Sequence, residues 1–164
     1  DKSGTVDAKD KYHNGSPAPD VFMGISSQFS YKNFDFNFNG RLSLGNKVYN
    51  NSFLVGNYKE MSVNDYLTNL SSSIKDTHFE QPQMFSDYYI EDASYFRMDN
   101  ITAAYNFNAL KLFNGNIKLR IYSSIQNAFV ITGYEGLDPE VSDGLDYNRY
   151  PRPRTYIFGI QANF

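Results

Sequence analysis

The chain has 164 residues and a formal net charge of -3, and it is 41% hydrophobic and 17% aromatic, with 14 Tyr, 14 Phe and no Trp. It contains no Cys, which excludes a disulfide framework, a thiolate metal site and a cysteine nucleophile. The acidic balance argues against a general nucleic-acid binder. The mean hydropathy of -0.53 excludes a helical membrane protein, which needs runs of about 20 apolar residues.

The first ten residues are rich in carboxylates and begin without a basic apolar leader, so we expect a fragment of a longer polypeptide. They fit an EF-hand calcium loop entered at its third position, with Gly4 at the sharp turn. Asp10 would replace the usual bidentate Glu, and a solvated acidic turn is the alternative. The predicted ligands of a structural Ca²⁺ or Mg²⁺ are Asp1, Ser3, Thr5, Asp7 and Asp10.

Two alternating segments come next, from Val21 to Tyr31 and from Phe34 to Leu44, joined at Lys32-Asn33. Apolar and aromatic residues take nearly every second position in each segment, which is the side-chain period of a strand. The short polar connection predicts a β-hairpin. The polar side of the second strand carries Asp35, Asn37, Asn39 and Arg41.

From Gly45 to about Ala93 the alternation disappears, which predicts a long polar loop with a short helix from Val63 to Leu70 capped by Ser62. Loops of this length are uncommon in compact domains and are usually functional or disordered. Its tyrosines are expected either to stack on sugar rings or to pack against a partner protein; they are Tyr49, Tyr58, Tyr66, Tyr88 and Tyr89.

Strand character returns from Ser94 to Phe107 and from Ile117 to about Ile131, with a turn predicted over Asn108 to Asn116. Arg97 and Asp99 share the parity of the apolar residues in the first of these strands. This parity predicts a bulge or a strand that extends beyond a membrane. The polar side of the second strand carries Lys118, Arg120, Tyr122 and Gln126.

A second long loop, Thr132 to Arg154, is rich in carboxylates and ends in two arginines, Arg152 and Arg154. The carboxylates suit a second cation or a sugar, but a solvated loop whose carboxylates pair with these arginines is favoured. They are Asp138, Glu140, Asp143 and Asp146. The final strand then alternates through residues 155–164, with an apolar side formed by Tyr156, Phe158, Ile160, Ala162 and Phe164.

The connections sort by length: both short turns fall at one end of the strands and both long loops at the other. Outer-membrane barrels sort their turns and loops in this way. The predicted fold is therefore all-β, an antiparallel transmembrane β-barrel segment. Five strands are too few to close a barrel, since the smallest have about eight, so partner strands must come from elsewhere. The alternatives are a soluble all-β carbohydrate-binding module with its apolar faces packed together, and a small autonomous barrel.

Three stretches resemble the C-terminal end of SusC-like TonB-dependent transporters, the outer-membrane nutrient importers of Bacteroidetes. The first runs from Asn14-Gly15-Ser16-Pro17 to Phe34-Asp35, and the second is Gly45-Asn46-Lys47-Val48-Tyr49-Asn50. The third is the tail, with Gln126-Asn127-Ala128-Phe129, Gly136-Leu137-Asp138-Pro139-Glu140-Val141 and Tyr150-Pro151-Arg152-Pro153-Arg154-Thr155-Tyr156. Their order and spacing together cover nearly the whole chain.

The resemblance implies the last five strands of a barrel of about 22, with an N-terminal plug that this chain does not contain. It implies a transporter rather than an enzyme, working with TonB and a SusD-like surface lipoprotein to import oligosaccharides or oligopeptides. His13 and His78 are isolated, so no catalytic triad is predicted. Residues expected to face the lumen are Asp35, Asn37, Asn39, Arg41, Lys118, Arg120, Tyr122 and Gln126, and the expected barrel-assembly signal is Tyr156, Phe158, Ile160 and Phe164.

Overall fold

The computed structural model describes residues 8–56, 72, 75, 84–112 and 115–163. Its five long strands are β1 Val21–Tyr31, β2 Phe34–Leu44, β5 Tyr95–Leu112, β6 Gly115–Thr132 and β8 Thr155–Asn163. They form one antiparallel sheet in the order β1-β2-β5-β6-β8. This confirms the all-β prediction and its five strands.

A second, small sheet lies at one end of the first. Its strands are β3 Lys47–Asn50, β4 Ile90–Asp92 and β7 Leu145–Asp146, in the order β4-β3-β7. The helical elements with bounds inside the described ranges include α1 Asn51–Gly56 and two 3-10 turns, Ala8–Asp10 and Asp87–Tyr89. Among the described residues, no helix has the length and apolar character needed to cross a membrane.

The large sheet has one apolar and one polar face, because residues directly opposite each other in an antiparallel ladder point the same way. Phe36 lies opposite both Phe29 and Ala103, and Ser123 lies opposite both Ala103 and Phe158; this side is the apolar face. Further members of the apolar face are Phe34, Phe38, Tyr105, Ile121, Ile125, Tyr156 and Ile160.

The strands share two ends. At the turn end lie Lys32-Asn33 between β1 and β2, and the tips of β5 and β6. At the loop end lie Val21, Leu44 and Thr155, beside the small sheet and the long connections. The predicted sorting of short and long connections is therefore confirmed.

The bulge predicted near Arg97 is present. The β2–β5 register shifts between Asn39 and Gly40, and the β5–β6 register shifts between Met98 and Asn100. The shift places Arg97 opposite Arg41 on the polar face instead of on the apolar face that its parity predicted. Gly40 permits the close approach, because a Cβ there would lie 2.7 Å from the Arg97 carbonyl oxygen.

The predicted end of β5 at Phe107 and the predicted start of β6 at Ile117 are both wrong, since β5 ends at Leu112 and β6 begins at Gly115. The turn predicted over Asn108 to Asn116 is mostly strand, since Leu110 pairs with Ile117 and Leu112 with Gly115. The ladder is irregular between Phe107 and Leu110, which interrupts the alternation of apolar and polar residues. A prediction based on that alternation therefore ends the strand too early.

The long connections also hold more regular structure than predicted, because they contain β3, β4, α1 and β7. These elements are short and are stabilised by packing between loops that are distant in the chain. Their core consists of Val48, Ala93, Tyr134 and Val141. The leading segment joins them, with the Lys47 amide donating to the Ser16 carbonyl at 2.8 Å.

Several sequence predictions lie outside the described residues. They are the helix Val63 to Leu70 with its cap Ser62, the aromatic side chains Tyr58 and Tyr66, and His78. The same holds for the cation ligands Asp1, Ser3, Thr5 and Asp7, and for the terminal Phe164.

Candidate functional site: the polar face and the loop end

The eight residues expected to face a lumen all lie on the polar face. In the sheet register, Ala104 of β5 pairs with Asp35 of β2 on one side and with Tyr122 of β6 on the other. Asn100 of β5 pairs in the same way with Asn39 and Gln126. Asn39, Lys118 and Gln126 are exposed there, whereas Arg41 and Arg120 are half-buried. The polar face thus offers amide and ammonium groups to whatever occupies the space beside it.

Asp35 is the centre of a hydrogen-bond network near the turn end. It accepts hydrogen bonds from Ser30 Oγ at 2.9 Å and from Asn106 Nδ2 at 2.8 Å, and its Oδ2 lies 3.8 Å from Arg120 Nη2. Asn106 also donates its backbone amide to the Asn33 carbonyl at 2.8 Å. These contacts tie the β1–β2 turn to the neighbouring strands.

A compact triangle of hydroxyl and amide groups lies further along the polar face. Ser124 Oγ donates to Asn100 Oδ1 at 2.7 Å, and Thr102 Oγ1 donates to Ser124 Oγ at 2.8 Å. Asn100 Nδ2 closes the triangle on Thr102 Oγ1 at 3.2 Å. The Ser124 hydroxyl is therefore satisfied by structural partners and has no basic residue beside it in the described network, so the triangle does not resemble a nucleophilic site.

Near the loop end, Glu140 binds three arginines from different parts of the chain. Its Oε2 lies 2.7 Å from Arg41 Nη2 of β2 and 3.4 Å from Arg97 Nε of β5. Its Oε1 lies 3.1 Å from Arg152 Nη2, on the returning limb of the same loop. We name these four residues, with Asp99 and Asp138, the arginine cluster.

Arg97 is the most buried member of the arginine cluster, with 2% of its side chain exposed. It binds Asp138 Oδ1 at 2.5 Å and donates to Asn127 Oδ1 at 2.7 Å. Arg41 also lies 3.5 Å from Asp99. The cluster is balanced, with three arginines against three carboxylates, which limits the cost of burying its charges.

Asn127 connects the bulge of β6 to the same loop. Its backbone is left-handed, with φ of 50°, a conformation that asparagine tolerates better than most residues. Its Nδ2 donates to the Arg152 carbonyl at 2.6 Å while its Oδ1 accepts from Arg97. Sequence reasoning missed Asn127 and Arg97, although the failed parity at Arg97 was the available signal.

The arginine cluster confirms the predicted pairing of Arg152 with a loop carboxylate. The other carboxylates bind elsewhere: Asp143 pairs with Arg149 at 2.5 Å, and Asp146 accepts from the Tyr134 hydroxyl at 2.6 Å. Arg154 is exposed and takes part in none of the ion pairs formed within the described ranges.

Polar contacts of Glu91 hold the small sheet to the last loop. Asn50 Nδ2 donates to Glu91 Oε1 at 2.8 Å, and the other Glu91 oxygen accepts the Glu135 amide at 2.9 Å. Burial, followed by the hydrogen bond to Asp146, raises the pKa of Tyr134. Hydrogen bonds from the side chain and backbone amide of Ser94 lower the pKa of Asp92.

The described tyrosines of the first long loop divide between packing and exposure. Tyr89 is fully buried and makes edge contacts with Tyr49 and Tyr88, with ring centroids 6.1 Å and 5.2 Å apart. Tyr88 remains 43% exposed. Tyr89 is thus a core residue, whereas Tyr88 and the half-buried Tyr49 each keep part of their side chain exposed to solvent.

Asp10 ends the 3-10 turn Ala8–Asp10, before the segment that packs on the small sheet. Within the described ranges, no group of three or more His, Asp or Glu residues has the geometry of a metal site. His13 is exposed.

No protein-family model matches the chain. Over 99% of its length it is 41% identical to the TonB-dependent receptor SusC of Bacteroides thetaiotaomicron. It is also 30% identical over its full length to the TonB-dependent receptor P3 of Formosa agariphila. The chain belongs to the SusC-like TonB-dependent receptors. It spans only 17% and 18% of the lengths of these two relatives, so it corresponds to a segment of such a receptor.

Solved structures show the same fold. The RagAB peptide importer in its closed-closed state matches 99% of this chain and 20% of its own chain, with a TM-score of 0.73 and 22% identity. The RagAB peptide transporter gives a TM-score of 0.75 over 93% of this chain and 18% of its own, at 24% identity. The SusC-like segment is therefore a stretch of outer-membrane barrel wall, and its long strands cross the membrane.

Proposed function

We propose that the complete SusC-like receptor imports oligosaccharides or oligopeptides across the outer membrane, driven by TonB and covered by a SusD-like surface lipoprotein. The main support is the five-stranded sheet, which has one apolar and one polar face, in a chain 41% identical to SusC over nearly its whole length. In a barrel the apolar face meets lipid and the polar face lines the interior. Asn39, Lys118 and Gln126 would then face solute or plug.

The soluble module was the alternative. It required the apolar faces of two sheets to pack together, but in the described part of the chain no second sheet covers the apolar face. Phe158 is 79% exposed and Ile160 71% exposed. A soluble protein rarely leaves a contiguous apolar surface of this kind in water, so membrane lipid accounts for it better.

The fixed loop end supports a role at the barrel mouth. The arginine cluster and the small sheet hold residues 133–154 against β2 and β5. This arrangement would give a partner lipoprotein a defined surface to cover, while the exposed polar residues stay open to solute.

The test is uptake by cells that carry the full-length receptor. Fluorescent oligosaccharides and oligopeptides of matched size are offered to wild-type cells, to cells lacking the receptor, and to cells lacking TonB. We expect one ligand class to enter only when receptor and TonB are both present. Equal uptake in all three strains for both classes would contradict the proposal. Copurification of a lipoprotein with the tagged receptor tests the partner separately.

A further inference from the structure

The apolar face contains a groove where two small residues lie side by side. Ala103 of β5 is directly opposite Ser123 of β6, and the groove above them has a volume of about 490 Å³. Larger side chains form its walls, namely Phe34, Tyr105, Phe158 and Ile160. The depression therefore arises from side-chain size and not from a gap between strands.

The groove is complete within this segment. Its floor lies between β5 and β6, which are both paired on each side within the sheet. Further barrel strands would pair at the edges, beyond β1 and β8, so they would extend the wall without filling the groove. Since the apolar face contacts the lipid of the outer membrane, the groove is continuous with that lipid interface.

The position of the groove along the strands indicates its depth. The Tyr105 hydroxyl accepts from Asn33 Nδ2 at 3.5 Å, and Asn33 lies in the turn between β1 and β2. Short turns of outer-membrane barrels are periplasmic, and tyrosines collect at the membrane interface. Ala103 is two residues further into the sheet, or about 7 Å. The groove thus opens where the acyl chains of the periplasmic leaflet begin.

Ser123 adds a polar group to this apolar surface. Its hydroxyl takes part in none of the hydrogen bonds formed within the described ranges, although Ala103, Phe158 and Ile121 surround it with apolar surface. A hydroxyl in hydrocarbon without a partner is costly. A phospholipid can supply the missing acceptor, since its ester carbonyls lie at the top of the acyl chains and accept hydrogen bonds.

We propose that this groove binds one phospholipid of the periplasmic leaflet. One acyl chain lies over Ala103 against the ring of Phe158, and an ester carbonyl accepts the hydrogen bond from Ser123 Oγ. The bound phospholipid fills the groove in the wall, and its occupancy is set by the size of residue 103 and by the hydroxyl of residue 123.

The test uses the full-length receptor, purified in mild detergent with diester phospholipid and examined by native mass spectrometry. The groove variant is Ala103→Leu and the matched control is Ala162→Leu, a similar change on the same face of β8 away from the groove. The leucine side chain occupies space that about two methylene groups of the acyl chain would otherwise fill. We therefore expect the fraction of receptor that retains one phospholipid to be roughly tenfold lower. Ala162→Leu should retain it as the wild type does.

A second measurement does not depend on the folding of Ala103→Leu. Ser123→Ala removes only the hydroxyl, and the receptor is offered diester or diether phospholipid. We expect the wild type to retain the diester form more strongly and Ser123→Ala to lose that preference. The proposal is overturned if the wild type and Ala103→Leu retain phospholipid equally, or if the wild type shows no preference for the diester form. It is also overturned if Ala103→Leu disrupts a receptor dimer and leaves the retained lipid unchanged.

Discussion

The ring of Tyr122 in β6 lies over Gly159 of β8, its direct partner across the ladder on the polar face. A Cβ atom added to Gly159 would overlap the Cζ and hydroxyl of that ring. The Tyr122 ring therefore fills the space above the Gly159 backbone that the side chain of any larger residue would need. It also joins the last strand to its neighbour at mid-height, where glycine alone would contribute no side-chain packing.

Replacing this glycine should destabilise the barrel wall. Gly159→Ala forces the Tyr122 ring to move, and overpacking of this kind typically costs about 1 to 3 kcal/mol. We expect the full-length receptor to lose its folded electrophoretic mobility at a lower temperature. Gly133→Ala is the control, because a Cβ there meets nothing within 4 Å. Adding Tyr122→Ala to Gly159→Ala should restore part of the loss, and additive losses would contradict the contact.

Glu140 should determine whether the last loop stays against the wall. Glu140→Gln removes the charge shared by Arg41, Arg97 and Arg152, and the loss of hydrogen bonds to charged groups costs about 2 kcal/mol. Hydrogen exchange of residues 133–154 should then be roughly 30-fold faster, without a change in the membrane strands. Asp143→Asn is the control.

The Asp143 control is informative because its pair with Arg149 is about half exposed on both sides. Burial would raise the pKa of Asp143, but the Leu145 amide and Arg149 outweigh it and lower that pKa. Exposed ion pairs contribute little to stability, because solvent and salt screen them. Similar exchange rates in Asp143→Asn and Glu140→Gln would show that Glu140 has no special role.

The hydroxyl of Tyr134 should stabilise the small sheet in a pH-dependent way. Its pKa is raised above 10, so the neutral form is favoured in the folded loop. The ordinary pKa of tyrosine is 10, so the stabilisation is fully present below pH 10. It is lost progressively as the pH rises above 10, because the unfolded chain then ionises while the folded one does not. Tyr134→Phe should lower the stability of the small sheet by about 1 to 2 kcal/mol at about pH 8 and remove this pH dependence.

The measurement for Tyr134 is thermal melting of the loop end between about pH 8 and pH 11.5. It is followed with a fluorophore attached through Tyr150→Cys, since Tyr150 is 89% exposed. Tyr147→Phe, at another exposed tyrosine, is the control. Parallel pH curves for the wild type and Tyr134→Phe would contradict the role of the hydroxyl.

The terminal aromatic residue should promote assembly. Phe164 comes after the apolar positions of Tyr156, Phe158 and Ile160, a pattern that resembles the signal read by the barrel-insertion machinery. We expect deletion of Phe164 to lower outer-membrane levels of the receptor, measured by quantitative immunoblotting of membrane fractions. Phe29→Ala, an exposed aromatic residue on the apolar face of β1, should have less effect. Unchanged levels after deletion would remove the proposed role.

The acidic leading loop remains a predicted cation site. Calorimetric titration of the full-length receptor should detect Ca²⁺ or Mg²⁺ binding that Asp10→Ala weakens, because a hard cation needs carboxylate oxygen at the last loop position. Glu135→Gln, an exposed carboxylate of the last loop, is the control. Identical heats in the wild type and Asp10→Ala would exclude the site.

The alternation of side chains was sufficient to predict the wall. In a strand with one apolar face, apolar residues recur at every second position. Phe34, Phe36 and Phe38 therefore indicated both the strand and the face that is apolar. Connection lengths likewise predicted which ends carry the loops. Boundaries were less accurate where the ladder is irregular, as between Phe107 and Leu110, because one inserted residue reverses the parity of every later residue in the strand.

The loop end was largely invisible to this reasoning. Val48, Tyr134 and Val141 are far apart in the chain and show no period, yet they form one core, and β3 and β7 pair in parallel although the two strands are distant in the chain. The parity of Arg97 placed it on the apolar face, but the bulge between Met98 and Asn100 puts it on the polar face, where it binds Asp138 and Glu140.

The sequence by itself determined the strands, their two faces and the family, because each depends on local periodicity or on residue identity. Only the tertiary structure decided the partners of Glu140, the overlap of Tyr122 with Gly159 and the groove over Ala103. These depend on which strand lies beside which and in what register. Register is set by long-range hydrogen bonding and by bulges, neither of which has a local signature strong enough to read along one chain.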